Sequence, residues 1–329
     1  MKVCIIGAGA IGGFIGTRLA LAGRAQLSAI ARGATLKALR EHGWRLHSGE
    51  TIEHARANAT DQPAELGLQD LVIIAVKAPA LPAVAQGIGP LLAAHTVVLP
   101  AMNGVPWWFC KRVEGFGEAP LESVDPGGTI DAAIPFEHVV GCVVHAATTT
   151  PEPGLVHHAF GRGLIVGEPA GGKSGRAQLI ADLLAEAGFE TTHSTDIRHD
   201  IWFKLLGNMT MNPVAAITGA TMDRVLADRL VRDFCSAAML EAAAIGARIG
   251  CTIEATPEQR HAVTAKLGAF KPSMLQDVEA GRPFELDAIV TAVHEIGRRL
   301  DVATPNLDAL LGLTRLFGRV RGLYPEASA

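Results

Sequence analysis

The sequence has no surplus of positive charge, no paired cysteines and no long apolar run, and each absence removes a class of function. Lys and Arg total 29 against 33 Asp and Glu, a net charge of −4, so nothing in the balance supports nucleic-acid binding. Cys4, Cys110, Cys142, Cys235 and Cys251 are odd in number, widely spaced and free of any CxxC pair. That usage predicts reduced thiols in a cytoplasm rather than a disulfide framework. No uninterrupted apolar stretch reaches transmembrane length, so no membrane association is expected. The opening "MKVCIIGAGAIGG" is apolar enough to imitate a signal peptide, yet glycine crowds it and no small-residue cleavage site follows. The histidines show no metal-ligand spacing, and the adjacent His157 and His158 would diverge in a strand, so no metal is expected. Internal repeats and low-complexity segments are also lacking.

What is there is a chain of 329 residues with 49% apolar and 19% charged residues, enough for two domains and a sizeable core. Its character changes near residue 195. Before that point short apolar runs alternate with helical segments: "KVCIIGA", "AQLSAIA", "DLVIIAV", "HTVVLPA", "VVGCVVHAA" and "GLIVGE". Such unbroken runs suit parallel strands buried on both faces by crossover helices. "WRLHSGETIEH" alternates around Ser48–Gly49 and predicts a hairpin lying between the second and third parallel strands in sequence. Beyond residue 195 helical patterns take over at 196–217, 222–249, 257–268 and 286–300, with Gly250 and Gly268 as stops. The expected class is α/β: a Rossmann-type parallel-sheet domain over residues 1–195 and an all-helical substrate domain over 196–329. The cleft between two such domains is the default active site.

"GAGAIG" supplies Gly7, Ala8, Gly9, Ala10, Ile11 and Gly12 as G-x-G-x-x-G, directly after an apolar strand and at the start of a helix closed by Gly23. In that setting the glycines serve a tight turn, close approach to a pyrophosphate and helix–strand packing. The helix N-terminal amides would hold the phosphate. The second strand ends in "AIARG", placing Arg32 where an NAD enzyme would offer a carboxylate. An arginine there pairs with a 2′-phosphate and favours NADP. Lys77 and Asn103 also follow strands, at the carboxyl ends where open α/β sheets bind ligands.

"GEPAGGKS" (167–174) satisfies the Walker A pattern and raises a rival reading, a nucleotide hydrolase. No later apolar strand ends in a magnesium-binding acid, however, and the motif comes late in its domain. A solvated glycine turn accounts for it better.

"FKLLGNMTMN" places Lys204, Asn208 and Asn212 at four-residue steps, so a helix carries them on one stripe that drifts by only about 80°. Their neighbours Trp202, Phe203, Leu205, Leu206, Met209 and Met211 are apolar, which makes the stripe awkward as surface decoration. Pro213 follows, and a kink that moves Asn212 out of the α region is expected there.

The chain resembles the ketopantoate reductase family over nearly its whole length. The matching stretches are "GAGAIGG", "ARG", "VKA", "NGV", "HAA" around Ala147, "GEP", "DIRHDIWFKLLGNMTMNP" and "PSMLQDVEAGRPFELDAI". The resemblance implies NADPH-dependent reduction of a 2-keto acid, 2-dehydropantoate to pantoate in pantothenate biosynthesis. It implies Lys204 as proton donor to the ketone, with Asn208, Asn212 and Ser273 binding substrate and Asn103 near it. It further implies that Glu285 stands between lysine, substrate and cofactor ribose, and that the glycine loop, Arg32, Lys77, Asn103 and Ala147 contact NADP. The chemistry is coherent, because hydride addition leaves charge on oxygen that a cationic acid both protonates and stabilises. A carboxylate beside that lysine keeps it protonated against desolvation.

Two departures bear on the substrate. The family often carries another substrate-facing asparagine where this chain reads "GATMDRV" with Met222, and adjacent Trp107 and Trp108 would add bulk near the cofactor unless they are core. A larger or more apolar 2-keto acid is therefore an alternative, and a non-catalytic NADPH-binding sensor is a second. Oligomeric state is not readable, although helical second domains often supply the contacts of a homodimer.

Overall fold

A computed structural model of the chain describes residues 1–326. By its internal contacts the chain forms two compact units: Met1–Asn103 with Gly128–Asp200, and Gly104–Gly127 with Ile201 onward. The units do not follow the chain linearly, since residues 104–127 leave the first and belong to the second.

The first unit is built on five parallel strands in the order β5-β2-β1-β6-β7. These are β1 (Lys2–Ile6), β2 (Gln26–Ile30), β5 (Asn58–Thr60), β6 (Leu71–Ile74) and β7 (Val97–Pro100). Helix α1 (Ala10–Ala22) follows β1 and α2 (Gly33–His42) follows β2, each returning the chain so that β1, β2 and β5 pair in parallel. β6 and β7 are buried throughout, which explains why "LVII" and "VVLP" carry no polar alternation. β1 lies between β2 and β6, so the chain's progress across the sheet reverses beside it. Open α/β sheets bind ligands at such a reversal.

The expected hairpin forms as β3 (Trp44–Ser48) and β4 (Thr51–Ala55), antiparallel with Ser48 opposite Thr51. It joins a second, mixed sheet rather than the parallel one. There β8 (Gly141–Glu152) pairs antiparallel with β9 (Leu155–Gly167). The long β9 runs parallel to β3 through its first residues and parallel to β10 (Glu190–Ser194) through its last. Trp44, 1% exposed, anchors the hairpin in a core shared with Phe14, Ile15 and Leu19 of α1.

The second unit is helical. Continuing the helix count past three helices of the first unit, α3 (Leu81–Gly87), α4 (Thr129–Ala133) and α5 (Gly175–Glu186), comes α6 (Ile197–Thr218), which enters the second unit at Ile201. α7 (Met222–Ala227), α8 (Arg229–Arg248), α9 (Pro257–Ala265), α10 (Ser273–Glu279), α11 (Ala292–Arg299) and α12 (Pro305–Val320) complete it. α8 packs against α7, α9, α11 and α12. Met211, Val214 and Ala215 of α6 share a core with Met222, Cys235, Met239, Leu275 and Leu310.

Two expectations need correction. The single helix over 222–249 is two, because Asp228 leaves the helical region and its carboxylate accepts from the Val231 amide as the cap of α8. Helix α6 also runs through Pro213 to Thr218, so Asn212 stays helical. Proline removes the N–H that would meet the Met209 carbonyl, but apolar packing on both sides of that turn (Met211 and Val214 are 2% and 7% exposed) holds the helix together. All five cysteines are buried, and burial pushes the Cys4 and Cys235 thiols up to about 12. No helix among the described residues is long and apolar enough to cross a membrane.

Candidate active site

The register of the parallel sheet aligns four strand ends. Ile30, Ile6, Ile74 and Pro100 stand in one row across β2, β1, β6 and β7. Everything the sequence nominated for the cofactor in this unit, Ala147 apart, follows that row within three residues or starts the helix beside it. Gly7 comes directly after Ile6, Arg32 two residues after Ile30, and Lys77 and Asn103 three after Ile74 and Pro100. The sheet therefore gathers these residues at its carboxyl edge. Ala147 lies elsewhere, at an irregularity of the β8–β9 pairing where it faces Phe160.

Within the loop the glycines have distinct surroundings. Gly7 has φ +92, and a Cβ there would lie 2.6 Å from Val76. A Cβ on Gly12 would lie 1.9 Å from the Gly7 carbonyl oxygen, so only glycine lets α1 start this close to the turn. Gly9, the N-cap of α1, faces open space within 4 Å and has no side-chain cap, and no acid occupies the first turn. The helix end is thus a cradle of free amides at its positive pole. Arg32, the N-cap of α2, is exposed and has no ion pair among the described residues. Lys77 is exposed and Asn103 half-buried.

The Walker-like loop is closed on itself. Glu168 accepts from the Ser174 hydroxyl at 2.6 Å and from the Arg176 guanidinium at 2.7 and 2.6 Å. The Gly171 amide donates to the Glu168 carbonyl at 2.9 Å and the Gly172 amide to the Thr195 carbonyl at 2.8 Å. Burial alone would raise the Glu168 carboxyl, but the Arg176 and Ser174 hydrogen bonds bring it below the ordinary glutamate value. A carboxylate thus occupies the serine that would serve magnesium, and two loop amides are spent on carbonyls. The loop is an α5 cap, not a phosphate site.

In the second unit α6 presents Lys204, Asn208 and Asn212 along one stripe, as their spacing predicted. Lys204 and Asn208 are half-buried, and Asn212 is only 6% exposed. Ile201, Trp202, Leu205, Leu206 and Met209 bury the remainder of the helix, with the Trp202 indole donating to the Ala242 carbonyl at 3.1 Å. Glu285, 8% exposed, ends an irregular stretch immediately before a π-helical segment, Asp287–Thr291. Such a widened turn is common at functional sites. It is fastened by Asp287, which accepts from Tyr324 at 2.5 Å and from Thr291 at 3.0 Å. Burial, then the Asp287 carboxylate, raises the Tyr324 hydroxyl above its ordinary value, which keeps it a donor. Ser273 is exposed at the start of α10.

One functional candidate escaped the sequence. Arg260 of α9 lays its guanidinium 4.0 Å from the centre of the Phe203 ring, next to Lys204 in the chain. An arginine among "PEQRHAVTA" gives no sequence signal, because solvated arginines are common on helices.

Residues 3–171 match the family described as ketopantoate reductase PanE/ApbA, and residues 196–317 match its C-terminal part. The chain belongs to the ketopantoate reductase family. It is an oxidoreductase, with the parallel sheet first and the helical region after it, as in that family. A 2-dehydropantoate 2-reductase of Mesorhizobium japonicum is 43% identical over 98% of this chain and 100% of its own. The crystal structure of a candidate ketopantoate reductase from Ralstonia solanacearum MolK2 shares 55% identity and a TM-score of 0.94, covering 98% and 99% of the two chains. A D-mandelate dehydrogenase crystallised with NADH and anilino(oxo)acetate shares the fold, at 24% identity, TM-score 0.85 and coverage of 98% and 100%.

Two features set this ketopantoate reductase family member's packing. Trp107 and Trp108 are 2% and 0% exposed, and Phe109 stacks on Trp202 at 5.6 Å. The tryptophans are core. Met222, 2% exposed, is likewise in the helical core.

Proposed function

We propose that the protein reduces a 2-keto acid with NADPH, with 2-dehydropantoate as substrate and pantoate as product. The observation that carries this reading is the Lys204–Asn208–Asn212 stripe, three polar groups aligned on an otherwise apolar helix with the last amide buried. The name of the Mesorhizobium japonicum relative supports the substrate.

The first unit fits a dinucleotide. The open Gly9 cradle suits a pyrophosphate and the unpaired Arg32 a 2′-phosphate, with Lys77, Asn103 and Ala147 as further contacts. When bound, the reduced nicotinamide supplies hydride to the ketone carbon. Lys204 gives the proton to the ketone oxygen and opposes the negative charge that develops there. Asn208 and Asn212 orient the substrate, and Ser273 meets its carboxylate. Glu285 favours the ammonium form of the lysine, as a neighbouring carboxylate does. The five buried, widely spaced cysteines suit a reducing cytoplasm.

Met222 is part of the helical core, so it does not favour a larger or more apolar 2-keto acid over 2-dehydropantoate. The test follows nicotinamide absorbance with 2-dehydropantoate, other branched 2-keto acids and an aryl 2-keto acid, each with NADPH and with NADH. Turnover of 2-dehydropantoate with preference for NADPH is expected. NADPH binding without turnover of any of these acids would overturn the enzyme reading and leave a cofactor sensor.

A further inference from the structure

Arg260 differs from the arginines of this chain that are paired with carboxylates. Arg176 is paired with Glu168 at 2.6 Å, Arg299 with Glu295 at 2.5 Å, Arg45 with Glu152 at 2.9 Å and Arg18 with Glu53 at 3.8 Å. Arg260 has no carboxylate partner among the described residues, and its Nε is buried without any hydrogen-bond acceptor. A desolvated cation left without an anion costs free energy, so a fold keeps one when something else supplies the anion. Desolvation also lowers the guanidinium's pKa below its ordinary value, a shift that a bound anion would reverse.

Its position suggests which anion. The guanidinium lies over the Phe203 ring, and its Nη2 is 3.0 Å from where a Cβ on Gly207 would stand. A glycine inside a helix is destabilising relative to alanine, and here it leaves the room the guanidinium occupies. Gly207 is the i+3 neighbour of Lys204 and directly precedes Asn208, so Arg260 lies on the helix row bordering the catalytic stripe. The Phe203 face holds the guanidinium plane, leaving the fork that matches a carboxylate's two oxygens. In a 2-keto acid the carboxylate is bonded directly to the ketone carbon, so a lysine at the ketone and an arginine one row away suit the two ends of one small molecule.

We propose that Arg260 is a substrate-binding residue that pairs with the carboxylate of the 2-keto acid and makes the enzyme select acids over neutral ketones. This rests on the reductase reading above.

The test compares 2-dehydropantoate with its methyl ester, in the wild-type protein and in Arg260→Met and Arg260→Lys. Methionine keeps an apolar stem against Phe203 while removing the charge, which protects the fold. Loss of a charge-assisted hydrogen bond predicts a KM for the acid raised on the order of ten- to a hundredfold in Arg260→Met, with the ester little affected. Arg260→Lys should recover part of the loss. Calorimetry of pantoate binding to the same proteins needs no turnover, and should show the same weakening. Equal losses for acid and ester, or unchanged binding of both, would overturn the assignment and leave Arg260 a packing residue. A wild-type protein that binds pantoate through Arg260 but reduces neither compound would instead defeat the reductase reading alone. Failure of the wild type to bind pantoate or either keto compound would overturn both.

Discussion

Lys204 sits between Phe203 and Leu205 on a helix that is otherwise committed to the core, and that setting makes its chemistry testable one side chain at a time. If it donates the proton, Lys204→Ala should lower kcat by about 10²–10⁴-fold while NADPH still binds. Arginine should restore little, because its pKa is too high to release a proton. Glu285→Gln should also slow turnover, and the double variant should lose less than the product of the two, since both act through one group. A double-mutant cycle on kcat reads this, and fully independent losses would make the stripe a positioning surface only. Arg32 concerns the cofactor instead. Arg32→Ala should weaken NADPH by roughly 1.5–3 kcal/mol while leaving NADH nearly unchanged, the difference being the contact to a 2′-phosphate. Fluorescence titration with both cofactors measures it, and equal weakening would assign Arg32 to the structure of the α2 cap.

Elements respond through their ends and turns. Asp228 separates α7 from α8, and Asp228→Ala should cost about 1 kcal/mol of stability, visible as a lower Tm with unchanged cofactor affinity. The Walker-like loop yields the opposite expectation: Lys173→Ala should leave both turnover and stability unchanged, because Glu168, Ser174 and Arg176 already close that loop. Magnesium-dependent ATP binding abolished by that change would contradict the closed loop. Several elements were legible in sequence for direct physical reasons. The runs "VCII", "LVII" and "VVLP" are strands because nothing charged interrupts them, and the glycine loop is recognisable because Gly7 and Gly12 stand where other residues would clash, with Gly9 open between them. Other features had only long-range causes. Nothing in 44–54 says that the hairpin pairs with β9, more than a hundred residues away, and nothing local to Asn212 says that Pro213 will be absorbed without a break. Helices α10 and α12 went unpredicted, the first being seven residues long and the second beginning at Pro305. Of the candidate site, the α6 stripe was legible from spacing alone. Arg260 was not, since its meaning comes from Phe203 and Gly207 on a different helix.

At the scale of the whole molecule the segment 104–127 is tied to α11 by one carboxylate. Glu295 accepts from the Glu122 amide at 2.9 Å, from the Ser123 amide at 2.9 Å and from the Ser123 hydroxyl at 2.6 Å. Arg299 pairs with Glu295 and donates to the Ala119 carbonyl at 2.9 Å and to the Pro120 carbonyl. Burial alone would raise the Glu295 carboxyl, but the Ser123 and Glu122 donors and the Arg299 charge bring it below the ordinary glutamate value. A carboxyl depressed in the folded state stabilises fully above its unfolded pKa, and that contribution is lost as pH falls through the folded value. The hydrogen-exchange protection of residues 119–127, taken relative to the intrinsic rate at each pH, should therefore fall below about pH 4.5 in the wild type. In Glu295→Gln it should already be low at neutral pH, and protection that does not change with pH in the wild type would show that the carboxylate is not the fastener. The same excursion decides how the molecule can be made. Residues 104–127 leave the ribosome about 170 residues before Glu295 and Arg299 do. During synthesis this stretch must wait without its partners while the sheet that precedes it can already close. A fragment ended at residue 200 would carry the same orphaned stretch permanently, so a self-standing dinucleotide half requires joining Asn103 to Gly128 rather than a single cut.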